Sequence, residues 1–383
     1  MRARLHVNTS ARPRADLGPF SPPTREPLGL HRRLPGYAPT PLRRAPELAA
    51  DLGVREVYVK DESARLGLPS YKFLGASWAT YCALTEELGV DPGPWASVEE
   101  LRETLRPLGD RALAAATDGN HGRAVARMAR LLGWSARIFV PAGTAAARVS
   151  GIEGEGASVT VVDGTYDEAV ERAAQEAAPD VLVISDTAWP GYETTPRHVV
   201  EGYSTIFWEV DDELQRVGLP HPSTVVAQMG VGALAAAAVR HYRSGGAATA
   251  HLVGVEPRDA DCVLASVAAG HEVEVPGPHR SAMAGLNCGR PSPLALPLVL
   301  SGMDAFLAVD DAAADRAVRA LAAVGITSGE SGAAGLAGLL AVAAEGTEQE
   351  RAAVGLLPDA VVLTVSTEGA TDPVNYARIL AGA

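Results

Sequence analysis

Cysteine is scarce: the chain has 383 residues and three cysteines, too few to staple a scaffold together. Cys82, Cys262 and Cys288 show no CxxC spacing, and the nine histidines form no HExxH, so no motif supports a zinc site. No run approaches the roughly 18 apolar residues of a membrane helix. The Arg- and Pro-rich N-terminal stretch lacks a following apolar segment and does not read as a secretory signal. Pro13, Pro19, Pro22 and Pro23 would also interrupt the helix of a transit peptide, so the expected location is the cytoplasm. Basic charge is in deficit, with 33 Lys and Arg against 46 Asp and Glu, a net −13. That balance argues against a nucleic-acid binder. It leaves room for a locally positive small-molecule site. Hydrophobic residues supply 47% of the chain, enough for a large core, and the length suits two or three domains.

Along the chain, residues 1 to about 40 read as an irregular arm. Residues 91–111, charged and carrying Pro92, Pro94 and Pro107, read as a surface excursion. Between and beyond them strands and helices alternate. Glu56–Lys60, Ala112–Ala116, Arg137–Val140, Ser158–Val162, Val181–Ser185, Thr224–Gln228, His251–Glu256 and Ala360–Ser366 read as strands. Lys72–Glu86, His121–Leu132, Arg148–Glu155, Tyr166–Glu176, Leu234–His241, Ala312–Val324 and Gly332–Ala344 have helical spacing. This rhythm predicts parallel βαβ units, an α/β fold in which ligands gather beyond the carboxyl ends of strands.

The polar loops at such ends are Lys60–Ser63, Thr117–His121, Asp186–Thr187, Gly230–Ala233, Glu256 and Ser366–Gly369, and four stretches of the chain can carry chemistry. Lys72 opens an apolar helix between Tyr71 and Phe73. A desolvated lysine there should have a lowered pKa and serve as a Schiff-base nucleophile. A lone lysine more often covers apolar surface with its stem. Gly230-Val231-Gly232-Ala233 follows a strand and opens a helix, a setting for a phosphate. With Ala235 and Glu256 it equally fits a dinucleotide fingerprint, or a plain tight turn. Thr117-Asp118-Gly119-Asn120-His121-Gly122 offers amides, hydroxyls and one carboxylate base, or simple helix caps. Ser366-Thr367-Glu368-Gly369 ends the last strand with hydroxyls able to meet a ring nitrogen, or an ordinary turn.

Taken together, their order resembles the fold-type-II pyridoxal-phosphate enzymes of the tryptophan synthase β-subunit superfamily. Within that group the sequence looks like the diaminopropionate ammonia-lyase family. The segments that carry the likeness are Gly36–Leu42, Val59–Ser63, Lys72 with Gly75-Ala76, Ala116–Arg123, Asp186–Trp189, Ala284–Gly289, Ser328–Gly332 and Ser366–Gly369. They span roughly residues 36 to 373. Thr117–Arg123 and Asp186–Trp189 are the more specific ones.

The resemblance implies two open, twisted, mostly parallel sheets flanked by helices. A cleft would separate a large domain (1–77 and 192–383) from a small one (78–191). It implies pyridoxal 5′-phosphate held by Lys72, with Asn120 at the ring hydroxyl, Gly230, Val231, Gly232 and Ala233 around the phosphate, and Ser366 or Thr367 at the pyridine nitrogen. Thr117, Asp118, His121 and Asp186 would bind a small amino-acid substrate, with Lys72, Asp118 and Asp186 catalytic. The implied reaction is α,β-elimination of 2,3-diaminopropionate by a homodimer. The readings beside it are a serine/threonine-type dehydratase or β-replacement synthase of the same fold, and, from another class, a nicotinamide-dependent oxidoreductase. Arg290 stands where the family would carry an acidic or small residue, which would add positive charge near the site. A Cys262–Cys288 disulfide is the remaining expectation from the resemblance.

Overall fold

The computed structural model describes residues 2–86, 89, 92–244 and 250–382. Two parallel-rich sheets frame it. The strands are β1 (Arg4–Val7), β2 (Leu42–Arg44), β3 (Glu56–Asp61), β4 (Ala112–Ala116), β5 (Ser135–Pro141), β6 (Ser158–Val162), β7 (Val181–Val183), β8 (Thr224–Gln228), β9 (His251–Pro257), β10 (Ala305–Val309) and β11 (Val361–Ser366). The larger sheet runs β1-β10-β9-β8-β11-β3-β2, and the smaller runs β6-β5-β4-β7. All pairings in the smaller sheet are parallel. In the larger sheet only the outermost pairs, β1 with β10 and β2 with β3, are antiparallel. The α/β expectation is met.

The central strands read as they do because both of their faces are covered. β11 (VVLTVS), β8 (TVVAQ) and β4 (ALAAA) are buried at every position, so they show continuous apolar runs rather than alternation. β6 (SVTVV) lies at an edge and is largely exposed. Parallel register brings Ser366 beside Asp61 and Thr364 beside Val226. The polar residues that follow these strands therefore emerge at one end of the sheet.

The N-terminal arm is more ordered than its proline content suggests. Arg4–Val7 pairs with β10, Leu5 opposite Leu307, and the helix Glu26–His31 buries Leu28, Leu30 and His31. A four-residue edge strand carries no pattern long enough to read. The surface excursion is likewise corrected (residue 91 lies outside the described residues). Val98–Leu105 is a helix capped by Ser97, and it buries Val98, Leu101 and Leu105, with Trp95 buried just before it. Those three positions follow helical spacing, a signal that the flanking prolines and charges obscured.

The helix Lys72–Glu86 crosses the helix Thr194–Gly202 at close range. A Cβ on Gly75 would meet Tyr203 Cε1 at 2.6 Å, and one on Gly202 would meet the Leu74 carbonyl oxygen at 2.4 Å. Glycine is needed at both points for closeness, not for backbone conformation. Gly202→Ala should therefore lower stability by about 1–3 kcal/mol, the usual cost of overpacking. A fall in the thermal midpoint would register it, and an unchanged midpoint would refute the close-contact account.

Candidate active site

The segment before Lys72 is tied to the loop after β11. Ser70 bridges to Glu368, and the Tyr71 N–H donates to the Thr367 carbonyl at 3.2 Å. Lys72 is the first residue of its helix, aimed across the gap between the sheets, where its Nζ donates to Asp186 Oδ2 at 2.7 Å. The Tyr166 hydroxyl donates to the other Asp186 oxygen at 2.9 Å. Burial opposes charge on both members of the Lys72–Asp186 pair, yet their attraction outweighs it: Lys72 is held well above, and Asp186 well below, its ordinary pKa. The lowered lysine pKa expected from burial alone is therefore corrected, because a carboxylate sits within contact distance.

Beyond β4, Thr117 Oγ1 accepts the Gly119 N–H at 2.9 Å and turns the chain into the helix Asn120–Leu132. The His121 side chain donates Nε2–H to the Ile184 carbonyl at 2.7 Å. Burial lowers its pKa, so it is a neutral imidazole. The Asp118 pKa is raised, chiefly by burial, with Arg148 and Lys72 opposing the rise and Glu368 and Asp186 adding to it. Asp118 Oδ2 accepts no hydrogen bond among the described residues.

On the far side, Gly232 (φ +96°) precedes the helix Ala233–Tyr242. A Cβ on Gly230 would lie 3.0 Å from Cys288 Sγ and 3.3 Å from the Gly285 carbonyl. Only glycine leaves that wall open. Lys72, Thr117, Asp118, His121, Asp186 and Gly230 to Ala233 thus line one slot, closed on its other side by Ala284 to Cys288. An outer cavity of about 640 Å³ shares Asp118, Tyr166, Ala284 and Asn287 with it.

The remaining predicted residues lie outside the lining of that slot, with hydrogen bonds of their own. Asn120 Nδ2 donates to Glu368 Oε2. The Ser366 hydroxyl donates to Ser328 Oγ at 2.8 Å, and Thr367 Oγ1 accepts from Gln228 Nε2 at 2.7 Å. Three residues escaped the sequence reading. Glu368 lies within Ser366–Gly369, one of the segments that carry the family likeness, where nothing local marks it. Arg148 and Tyr166 sit at the start of ordinary-looking helices, and nothing in their local sequence announces them.

Three expectations are corrected. Cys262 and Cys288 are free, buried thiols on either side of Gly230. Arg290 pairs with Glu274 at 2.8 Å with about half of each side chain exposed, so its charge is spent at the surface. Glu256, the proposed ribose acid, is fully buried and accepts the N–H groups of Val263 and Leu264 at 2.9 and 2.8 Å. It caps a helix, which removes the acid the nicotinamide reading needed. No helix among the described residues is long and apolar enough to cross a membrane, and no group of His, Cys, Asp and Glu among them is arranged for a metal.

A buried lysine amine facing a glycine wall across a slot between two parallel-rich sheets defines a class, and sequence comparison agrees. Residues 33–366 match the family model described as "Pyridoxal-phosphate dependent enzyme", and the chain belongs to that family. Diaminopropionate ammonia-lyase from Escherichia coli strain K12 is 37% identical over 360 residues, covering 92% of this chain and 89% of the relative. The enzyme of that name from Salmonella typhimurium is 34% identical over 302 residues, covering 77% and 74%. Within the wider family the chain therefore falls among the diaminopropionate ammonia-lyases. The crystal structure of the E. coli enzyme in complex with D-serine superposes with a TM-score of 0.88 at 34% identity, covering 99% of this chain and 97% of the other. The E. coli structure in complex with an aminoacrylate-PLP azomethine reaction intermediate gives 0.87 at 33% identity, with the same coverage.

The residues present fit the cofactor of that family. An amine faces the slot, the Gly230–Ala233 loop lines it at a helix N-terminus, and one carboxylate oxygen is left unbonded. Two measurements follow. Thiol titration in denaturant should count three free cysteines with or without reductant, and a count of one without it would restore the disulfide. Asp186→Asn leaves burial as the main influence on Lys72, so the amine should lose its proton at lower pH. The pH profile of imine formation with pyridoxal 5′-phosphate, followed by absorbance, should move down by about one unit or more; an unmoved profile would show that Asp186 does not hold that proton.

Proposed function

We propose that this protein eliminates ammonia from 2,3-diaminopropionate, giving pyruvate and, with one water consumed, two ammonia molecules. The observation that carries the reading is the pair of proton-transfer groups facing one slot, Lys72 from one side and Asp118 from another, within a chain that belongs to the diaminopropionate ammonia-lyases. Pyridoxal 5′-phosphate, when bound, supplies the electron sink that acidifies the substrate Cα–H. Lys72 would carry the cofactor, and the amides of Gly230 to Ala233, backed by the helix N-terminus, would hold its phosphate. Asn120 is assigned to the ring hydroxyl and Ser366, or Thr367 beside it, to the ring nitrogen. A neutral hydroxyl there would leave the ring less electron-poor than an aspartate partner would, which favours prompt departure of a β-group.

The chain's own groups divide the proton transfers. Lys72 Nζ takes the Cα proton of one enantiomer, and Asp118 Oδ2 takes that of the other. Asp186, whose two oxygens are met by Lys72 and Tyr166, orients the substrate's amino groups. Thr117 and neutral His121 complete the substrate pocket without adding charge. The β-amine leaves readily only when protonated, and Lys72, neutral when it takes the Cα proton, becomes the acid at hand once it holds that proton beside Asp186. The released 2-aminoacrylate hydrolyses to pyruvate and the second ammonia. A cytoplasmic homodimer, expected from the family resemblance, completes this reading.

Purified protein loaded with pyridoxal 5′-phosphate should form pyruvate and ammonia in a 1:2 ratio from 2,3-diaminopropionate. Absence of pyruvate from both isomers would sink the assignment. Asp118→Asn should lower turnover of the D-isomer by about 10²-fold or more, the usual worth of a general base, and spare most of the L-isomer activity. Equal losses would refute the division between the two bases.

A further inference from the structure

Asp118 presents a puzzle that its own loop does not resolve. A carboxylate that is to accept a proton from carbon needs a free lone pair and must be ionised. A buried carboxylate usually secures its ionisation through direct hydrogen bonds, which occupy its lone pairs. Asp118 Oδ2 has none among the described residues. It has instead one guanidinium close by but beyond hydrogen-bond reach: Arg148 Nη1 lies 3.6 Å from it.

Arg148 is itself braced on both sides. Its side chain is 5% exposed. Nη1 donates to the Asp118 backbone carbonyl at 3.4 Å, and Nη2 lies 3.7 Å from Glu368 Oε1, an oxygen that likewise accepts no hydrogen bond among the described residues. Glu368 is held by Asn120 and by Thr371. The Arg148 stem packs on Gly119, where φ is +146° and a Cβ would lie 3.0 Å from Arg148 Cδ. Gly119 is thus required both by its conformation and by the arginine that lies over it. The arginine leaves the helix Ala146–Glu153, beside the smaller sheet, and reaches the loop after β11 of the larger one.

Resting on the function proposed above, we infer that Arg148 is a positioning residue for the second base: stretched between Glu368 and Asp118, it keeps the Asp118 carboxylate charged and aimed into the slot while leaving its oxygen unbonded. Charge without a hydrogen bond is what a carbon base requires. The effect is electrostatic and short-ranged, and it is strengthened because Arg148 and the Asp118 oxygen that faces it are both buried. The charged groups that face Asp118 are Arg148 on its helix, Lys72 at the start of its own, Asp186 beyond β7 and Glu368 beyond β11. Once Lys72 carries the cofactor its amine is no longer a free ammonium, so removing Arg148 takes from Asp118 the guanidinium that opposes the two carboxylates.

The sign of each substitution follows. Arg148→Gln keeps the bulk and removes the positive charge, so Asp118 should hold its proton to higher pH. Glu368→Gln removes a like charge and releases Arg148 towards Asp118, so the proton should leave at lower pH. Arg148→Lys should fall close to wild type. The holoenzyme is titrated by infrared spectroscopy, with the Asp118 carboxyl band assigned by difference against Asp118→Asn. The Asp118 midpoint should rise by about one unit in Arg148→Gln, the lower end for a charge at this range, and fall in Glu368→Gln. The acid limb of kcat/KM for the D-isomer should follow the same two directions, with the L-isomer limb moving less.

Midpoints that move together in the two variants, or an unmoved midpoint in Arg148→Gln, would overturn the inference and leave Arg148 a structural contact. If Arg148→Gln does not fold, the pair Arg148→Lys and Glu368→Gln decides it, since a Glu368→Gln midpoint that fails to fall is also fatal. Loss of turnover by the wild type with both isomers would defeat the functional reading alone, because the infrared midpoint is read without turnover.

Discussion

The pair formed by Lys72 and Asp186 organises the centre of this molecule. Two opposite charges sit in contact, 14% and 6% exposed, where neither would be tolerated alone. Taking either charge out of water is costly, and only a well-placed partner offsets that cost. The two residues come from different layers: Lys72 from the helix that follows the larger sheet's β3, and Asp186 from the end of β7 in the smaller sheet. Their contact therefore joins the two layers and favours the protonated amine.

Two carboxylates then take different characters from their surroundings. Asp186 has both oxygens occupied, by Lys72 and Tyr166, and remains a fixed anion. Asp118 is one turn of chain from a neutral histidine, has an unbonded oxygen, and is held near a guanidinium that does not quite touch it. One is suited to hold and orient, the other to exchange a proton. Separating the environments of two like groups is how a single site performs both acid and base steps.

Precision here comes from close backbone approach. Gly75 and Gly202 let two helices meet without side chains between them, and Gly122 packs against the Thr117 methyl and Ile138. The Lys72 helix and the Asp118 turn are thereby fixed against their neighbours, and the catalytic groups inherit that rigidity. The buried cluster of Lys60, Glu62, Arg65 and Glu209 does the same for the strand end before the site, two cations matched by two anions.

Much of this was legible in the linear chain. Parallel strands buried on both faces must be continuously apolar, which is why β4, β8 and β11 could be recognised and the α/β class inferred. Short polar loops after such strands must be where ligands collect, which pointed to Thr117–His121, Asp186 and Gly230–Ala233, and the slot unites these with Lys72, while Lys60–Ser63, Glu256 and Ser366–Gly369 at other strand ends lie outside its lining. The brief edge strand β1 and the helix within residues 98–105 were hidden, since one is too short for a period and the other is masked by nearby prolines. The protonation of Lys72, the helix-capping duty of Glu256, the outward turn of Arg290, the free thiols beside Gly230 and the reach of Arg148 to Glu368 belong to the folded state alone. Each depends on which groups from distant segments come within a few ångströms, and charge, hydrogen bonding and burial act over that distance in space, whatever the separation along the chain.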